Sequence, residues 1–338
     1  MKKLALIQLF VLVLISSVFS QDEGFSNYRL SILSVNPAET GRIVDRAEFS
    51  VLYRDQFNNF TKGFRSFYTG FEYKLFCPDE SFFAAGFNAA YGQAGSSKFS
   101  RISGGLSLSY HRKTASNILI AGGFELGGIQ YRLQENNLQF DVQFDGIGFN
   151  PSFSNQEDFV GTSDLNLDLA LGLVFYDQNG RWSLGAAVHH LFTPTVRLLN
   201  NEGFIIPLSL SVHGNVNIPK PSINFHGMYR NYGFVGNSQH FFILGFGPIF
   251  SFDRQSTLNL DFSFRLANNQ EGNMINDAVI ITAGLNQNGW QFGATADITT
   301  SPLLSATNSI GGLELFAIVP LKKDSNCVKC PRVMNPTN

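Results

Sequence analysis

Residues 165–176 read LNLDLALGLVFY. Leucine or phenylalanine occupies every second position, from Leu165 to Phe175, and the positions between them begin with Asn166 and Asp168. Successive side chains of a β-strand point to opposite faces, so this stretch predicts a strand with one wholly apolar face. About ten residues of such alternation are what a strand needs to cross a bilayer.

Runs of similar character recur along the chain. The second face of these runs is mostly Ser, Gly, Ala and Asn, which suits a wet lumen better than the open face of a soluble β-sandwich. We therefore expect an all-β fold, a single transmembrane antiparallel β-barrel of about 14 strands. The predicted strands lie at residues 44–54, 65–75, 82–91, 101–112, 117–132, 164–176, 181–191, 206–217, 222–230, 240–252, 257–266, 277–285, 289–298 and 309–319.

The connections between the predicted strands alternate in length. Tight links follow the even-numbered strands, at residues 77–80, 113–116, 177–180, 219–221, 253–255 and 286–288, and two of these regions contain Asn-Gly steps. Asn-Gly is a strong signal for a two-residue hairpin turn. Links after the odd-numbered strands are longer, and the longest is 133–163. Outer-membrane barrels keep their periplasmic turns short, so we expect both termini in the periplasm.

The first residues and the composition fit an exported membrane protein. A basic start, an apolar run at 4–15 and small residues before Gln21 predict a signal peptide at residues 1–20. The remaining divisions expected are a periplasmic segment at 21–43, the barrel at 44–319 and a periplasmic tail at 320–338. The chain carries 34 Phe and 32 Gly and only 15% charged residues. The net charge of -2 argues against nucleic acid as a partner.

Candidate catalytic and metal-binding residues are few. His189 and His190 are adjacent, so on a strand they point to opposite faces and cannot chelate one ion together. We expect His189 to face the lumen and His190 to face the wall. Ser211 and His213 share a face, as do Ser183 and His189, but no orienting carboxylate is marked by the spacing. We therefore expect no enzyme activity, no cofactor and structural roles for these side chains.

Three short stretches resemble the PorP/SprF family of type IX secretion outer-membrane proteins of Bacteroidota. The first is Asn36-Pro37-Ala38, followed by Gly41, just before the first predicted strand. The second closes that strand and includes Tyr53, Arg54 and Gln56. The third and most specific is GAAVHHL, followed by a proline, in which the motif residues are Gly185, His189, His190, Leu191 and Pro194.

This resemblance implies a non-enzymatic barrel in the bacterial outer membrane. It implies a role in secreting or retaining a large surface protein, often an adhesin of gliding motility with a C-terminal sorting domain. The implied partners are that client, the translocon and motor of the secretion system, a periplasmic protein that links the barrel to peptidoglycan, and outer-membrane lipid. A passive porin, or a transporter of hydrophobic solutes, is the alternative.

Two further regions are candidates for contacts with partners. The long link contains five phenylalanines and few charges, which favours an external binding loop, although the same loop could fold inward and plug the lumen. These residues are Phe140, Phe144, Phe149, Phe153 and Phe159. The predicted topology also places Cys77, Cys327 and Cys330 on the periplasmic side, where disulfides form. We expect a disulfide that closes the tail on itself or joins it to the turn at Cys77. The tail itself could be disordered or dock onto a periplasmic partner.

Overall fold

A computed structural model describes residues 24–322 of the chain, apart from residues 59–61, 79, 96, 115–116, 135–137, 145–147, 151, 155–159, 199–202, 234–237, 254 and 269–271. The predicted signal peptide and most of the predicted tail therefore lie outside the described residues. No helix in the described ranges is long and apolar enough to cross a membrane.

The described residues form a closed barrel of fourteen antiparallel strands, which confirms the predicted fold class and strand number. Each predicted strand has its counterpart. The barrel strands are β1 (Ala47–Gln56), β2 (Phe64–Phe76), β3 (Ser81–Ala94), β4 (Phe99–Lys113), β5 (Ile118–Arg132), β6 (Asn166–Asp177), β7 (Trp182–His189), β10 (Ser209–Pro219), β11 (Ser222–Tyr232), β12 (Gln239–Ser251), β13 (Ser256–Asn268), β14 (Met274–Gln287), β15 (Trp290–Thr299) and β16 (Ile310–Lys322). Two short strands, β8 (Thr195–Arg197) and β9 (Gly203–Ile205), form a separate hairpin.

Pairing of the first and last strands closes the barrel. β1 pairs antiparallel with β16, with Val51 opposite Ala317, and on its other side with β2. Closure leaves no strand edge with unpaired backbone groups, which is the condition for a sheet to sit in hydrocarbon.

The two faces of the wall differ as the alternation predicts. In β6, Leu171 and Leu173 are exposed on the outside, whereas Val174 and Tyr176 are buried inside. An apolar outer face suits lipid, and many of the inward residues are buried polar ones such as Ser109 and Asn224. Other exposed outward residues include Leu106, Leu108, Leu184, Val216, Phe225, Leu244, Phe246, Phe264, Phe292, Leu313 and Leu315.

The six predicted tight turns are all present and lie at one end of the barrel, which we call the tight-turn end. They are residues 77–80, 114–117, 178–181, 220–221, 252–255 and 288–289. Asn288 and Gly289 have φ values of 55° and 90°, the left-handed conformations that a two-residue hairpin requires. The opposite end is the long-loop end. One of its links, 95–98, has only four residues, because β3 and β4 extend further than the alternation predicts.

The long-loop end carries additional small elements. The link between β7 and β10 contains the hairpin β8–β9, whose Val196 is fully buried. Val196 packs in a cluster with Ile129, Tyr131 and Ile206, and Phe204 packs against that cluster. The short helix α1 (Leu304–Thr307) lies in the link between β15 and β16. The hairpin therefore packs against the inner wall of the barrel near the long-loop end.

Candidate functional site

The segment before β1 occupies the lumen of the barrel. Two 3-10 turns form within it, at Tyr28–Ser34 and Pro37–Glu39, and most of its residues from Phe25 to Ile43 are buried. We call residues 24–45 the plug. Side chains of the plug hydrogen-bond to strands on all sides of the barrel, including β4, β6, β11 and β14. The expected periplasmic segment is thus a lumenal plug in its described part, because the polar inner wall satisfies its backbone and side-chain groups.

The plug runs from one end of the barrel to the other. Gly24 accepts a hydrogen bond from Arg54, two residues before the long-loop end of β1. Near its other end, Ile43 accepts a hydrogen bond of 2.7 Å from Lys74 Nζ, close to the tight-turn end of β2. Residue 24 and residue 322 therefore lie at opposite ends of the barrel. The two ends of the mature chain lie outside the described residues, so their expected location in the periplasm stays a prediction.

The Asn36 side chain connects the plug to two strands of the wall. Its side-chain Oδ1 accepts from the Ala38 backbone N–H at 2.9 Å and caps the turn that Pro37 begins. Its Nδ2 donates to the Leu173 carbonyl at 3.0 Å and lies 3.1 Å from His213 Nε2. One amide side chain thus shapes the turn and ties it to strands β6 and β10. This explains the Asn-Pro-Ala stretch physically, since Asn is a strong cap and Pro suits the first position of the turn.

Three inward glycines on consecutive strands make room for this turn. A Cβ at Gly123 would lie 2.6 Å from the Pro37 carbonyl oxygen, and a Cβ at Gly172 would lie even closer to Asn36 Oδ1. A Cβ at Gly185, a residue of the resemblance motif, would lie 2.8 Å from Asn36 Nδ2 of the plug and 2.5 Å from His213 Nε2. No side chain fits at these distances, so the glycines are required for the close approach of the plug to the wall.

His189 and Ser211 hold the residue before Asn36. His189 Nε2 lies 2.8 Å from the Val35 carbonyl oxygen, and the Ser211 hydroxyl donates to the same oxygen at 2.7 Å. The inward direction of His189 is as predicted. Two motifs that are far apart in the sequence, Asn36-Pro37-Ala38 and the His189 stretch, therefore meet at one place inside the barrel.

The prediction for His190 was wrong. Its φ of 59° is left-handed and β7 ends at His189, so the two-residue alternation stops there. The side chain is 4% exposed, and its Nδ1 lies 2.9 Å from Asp168 Oδ2. His190 is therefore a buried partner of a β6 carboxylate and does not face the lipid.

A network of ion pairs anchors the start of the plug. Arg54 Nη2 lies 2.8 Å from Asp297 Oδ2, and Arg265 Nη1 lies 2.9 Å from the same oxygen. Ser26 of the plug donates its hydroxyl to Asp297 at 2.6 Å and its backbone N–H to Glu314 at 2.5 Å. Buried charges are tolerated when they are paired and hydrogen-bonded, and removing one partner of such a pair costs about 3–5 kcal/mol. The sequence pattern did not mark Asp297, Arg265 or Glu314 as members of a site.

A second network surrounds Asp261. Arg29 of the plug and His226 of β11 each approach Asp261 Oδ2 to 2.7 Å, and the Ser263 hydroxyl donates to Asp261 Oδ1 at 2.7 Å. In a catalytic triad the histidine contacts the serine through one ring nitrogen and the carboxylate through the other, whereas here His226 Nε2 lies 2.7 Å from Asp261 Oδ2 and also faces the Ser263 hydroxyl, at 3.5 Å. The cluster therefore binds the plug arginine and lacks the geometry of an activated nucleophile.

The serine and histidine pairs considered from the sequence make hydrogen bonds to the neighbouring wall or to the plug. Ser183 donates to Asn215 Oδ1 at 2.5 Å, and Ser211 and His213 both contact the plug. Within the described ranges, no group of three or more His, Cys, Asp or Glu side chains could hold a metal ion.

A cavity of about 660 Å³ lies between the plug and the long-loop end. We call it the vestibule. Plug residues between Gly24 and Val35 line the side that faces the plug, and Phe57, Phe64 and Phe204 line the part toward the long-loop end. A much smaller cavity, about 60 Å³, lies on the other side of the plug near Glu39 and Arg42. The plug thus separates a large cavity on its long-loop side from a small cavity on its tight-turn side.

The remaining residues of the resemblance motifs have structural positions around this site. Tyr53 is 40% exposed on the outer face, and Gln56 lines the vestibule. Leu191 donates its backbone N–H to the Leu169 carbonyl at 3.0 Å, and the Pro194 carbonyl accepts from Ile206 at 2.9 Å.

The Phe-rich link and the cysteines are only partly described. Phe144 and Phe149 form a bridge with ring centroids 5.6 Å apart, and Phe144 and Phe153 are 50% and 45% exposed. Phe159 lies outside the described residues, as do Cys327 and Cys330. Cys77 is disulfide-bonded and packs against the cluster that contains Ala38 and Phe82.

Comparisons with solved structures support the fold. The Ralstonia pickettii toluene transporter TbuX is similar with a TM-score of 0.50 and 13% identity, covering 87% of this chain and 94% of that one. The TodX monoaromatic hydrocarbon channel deltaS2 mutant is similar with a TM-score of 0.50 and 11% identity, covering 85% and 92%. At these identities the likeness concerns the barrel alone. The comparison with curated proteins found no match.

A family model agrees with the sequence resemblance and with the fold. The model described as "Type IX secretion system membrane protein PorP/SprF" matches residues 17–317, which include the plug and nearly the whole barrel. The chain therefore belongs to the PorP/SprF family and is an outer-membrane β-barrel of type IX secretion.

Proposed function

We propose that this barrel is a non-enzymatic component needed to secrete, or to retain at the cell surface, a large cognate protein such as a gliding adhesin. The observation that carries the proposal is the plugged lumen beneath a large vestibule. A lumen filled by hydrogen-bonded chain suits binding better than the passage of solutes. Family membership supplies the secretion system in which such binding has a role.

In this proposal the two ends of the barrel have different partners. The long-loop end, with Phe144 and Phe153 exposed, faces the outside and contacts the sorting domain of the client. The tight-turn end faces the periplasm and engages the translocon, the motor or a peptidoglycan-linking protein. The plug joins both ends because it crosses the lumen between them.

Deletion of the gene tests this function. We expect one large surface protein to disappear from the surface proteome and to return when the intact gene is supplied on a plasmid. A surface proteome that is unchanged by the deletion would contradict the proposal.

A transporter of hydrophobic solutes is the second candidate. The aromatic lining of the vestibule favours it, and two barrels of similar fold are a toluene transporter and a monoaromatic hydrocarbon channel. This candidate requires a path through the plug. Uptake of a labelled aromatic hydrocarbon that falls on gene deletion would support it.

A further inference from the structure

The tight-turn end of β2 holds the plug and carries a cysteine in the turn that follows. Lys74 Nζ of β2 donates to the Ile43 carbonyl of the plug at 2.7 Å. Three residues further along, Cys77 packs against the buried cluster that contains Ala38 of the plug. The turn at Cys77 therefore belongs to the part of the wall that contacts the plug.

The number of cysteines limits how the disulfide of Cys77 can form. Cys77 is disulfide-bonded, and the other two cysteines of the chain are Cys327 and Cys330 in the tail. A disulfide within the chain therefore joins Cys77 to one of these two. Because it uses two of three cysteines, the other tail cysteine keeps its thiol, three residues away from the one that is bonded.

Both tail cysteines are within reach of Cys77. Lys322, the last residue of β16, and Tyr73 of β2 pair with the same residue of β1 from its two sides. Cys77 lies four residues beyond Tyr73, so it is about 10 Å sideways and about 13 Å along the strand from Lys322, or roughly 16 Å away. An extended chain from Lys322 spans up to about 17 Å to Cys327 and about 27 Å to Cys330. A disulfide bridges a further distance of about 5.5 Å between Cα atoms, so either cysteine can bond to Cys77.

A thiol close to a disulfide can exchange with it. Disulfides isomerise when a thiolate attacks one of the two sulfur atoms, and the two cysteines of a Cys-x-x-Cys motif can bond to each other. Lys329 lies inside this motif, and a nearby positive charge stabilises a thiolate. The tail therefore supplies a nucleophile beside the disulfide that it forms with Cys77.

We propose that Cys77, Cys327 and Cys330 form a thiol–disulfide exchange site that attaches the tail to the turn between β2 and β3 and releases it. The third cysteine loses its proton to solvent, and its thiolate attacks the tail sulfur of the disulfide. The bond to Cys77 breaks as the bond between Cys327 and Cys330 forms. The Cys77 sulfur leaves with the electron pair and takes up a proton. The number of disulfides is unchanged, so the step needs no oxidant and no reductant.

The two states differ in what the tight-turn end offers to a partner. In the attached state, the tail is bonded to the turn beside the end of the plug. In the released state, only β16 holds the tail, and an extended chain of the residues after Lys322 reaches about 50 Å from the barrel. This segment carries Lys323, Lys329 and Arg332. The exchange goes beyond the proposed function and does not depend on a surface client.

Slow alkylation without a reductant tests the exchange. The complete mature protein in lipid nanodiscs is treated with dilute N-ethylmaleimide at about pH 8, where part of each thiol is ionised. The reagent is dilute enough for alkylation to take hours, so that exchange can precede it. Trypsin cleaves after Lys329 and thus places Cys327 and Cys330 on separate peptides, so mass spectrometry distinguishes all three disulfides. We expect alkylated Cys77 to accumulate together with an equal amount of the disulfide between Cys327 and Cys330.

Two single variants are the matched controls. Cys327→Ser and Cys330→Ser each retain two cysteines, which are enough for one disulfide with Cys77 but leave no third thiol. A heat-dependent shift on gels verifies that both fold. We expect at least about tenfold more alkylated Cys77 in the intact chain than in either variant, because only the intact chain has the attacking thiolate. Alkylation of Cys77 that is as low in the intact chain as in the variants would overturn the proposal. Alkylated Cys77 without the disulfide between Cys327 and Cys330 would also overturn it.

Discussion

Two neighbouring glycines of β5 allow a sharp test at the scale of single residues. Gly123 faces the plug, where a Cβ would meet the Pro37 carbonyl oxygen at 2.6 Å, whereas a Cβ at Gly122 would meet nothing within 4 Å. Gly123→Ala should therefore displace the Asn-Pro-Ala turn and lower the free energy of unfolding by about 1–3 kcal/mol, the usual cost of overpacking. Gly122→Ala is the matched control. Urea unfolding in lipid vesicles measures both, and equal stabilities would refute this packing.

The direction of many side chains was predictable at this scale, and their partners were not. Alternation along a strand predicts that His189 points inward, but it fails at His190, where a left-handed residue ends the strand. Asn36 and His213 are 177 residues apart in sequence, so no local pattern predicts their contact. The inward glycines Gly123 and Gly172 could have indicated a segment inside the lumen, because they leave space on the inner wall.

At the scale of elements, we expect the plug to decide whether the barrel conducts ions. It is held by hydrogen bonds and ion pairs from the inner wall, such as those of Ser26 and Arg29. A chain that lacks residues 24–44 should form a barrel with a water-filled lumen, because the remaining inward residues are largely polar. We expect step conductance in planar bilayers from this variant and none from the intact chain. Conductance from the intact chain at a similar level would favour the pore instead. A heat-dependent shift on gels verifies that both barrels are folded.

The disulfide of Cys77 is a second test at this scale. Cys77 lies in the turn between β2 and β3, and the other cysteines of the chain are Cys327 and Cys330. Because Cys77 is disulfide-bonded, we expect non-reducing peptide mapping of protein from envelopes to join the Cys77 peptide to the tail peptide. Such a link would hold the tail at the tight-turn end. A tail peptide that is disulfide-bonded only to itself would contradict this expectation.

The elements themselves differ in how far the sequence predicts them. All fourteen barrel strands were predictable, because a wall between lipid and lumen imposes a strict period of two on each strand. The plug carries no such period. Its structure depends on groups that come from many strands of a closed barrel, and local patterns in the sequence do not bring these groups together. In the sequence its Asn-Pro-Ala stretch carries only a family resemblance, which does not predict a place in the lumen.

At the scale of the whole molecule, the plug crosses the lumen, so the orientation of the barrel in the membrane decides which end of the plug faces each side. This orientation can be tested. Gly24 lies at the long-loop end and residue 322 at the tight-turn end. Barrels keep long loops outside, so the start of the plug should lie toward the cell surface and its end toward the periplasm. Two exposed lysines provide matched positions, Lys62 beside the long-loop end and Lys220 in a tight turn. An epitope inserted at residue 62 should be detected by antibody on intact cells, and one inserted at residue 220 only after the outer membrane is permeabilised. The reverse pattern would place the vestibule in the periplasm, where a surface client could not reach it.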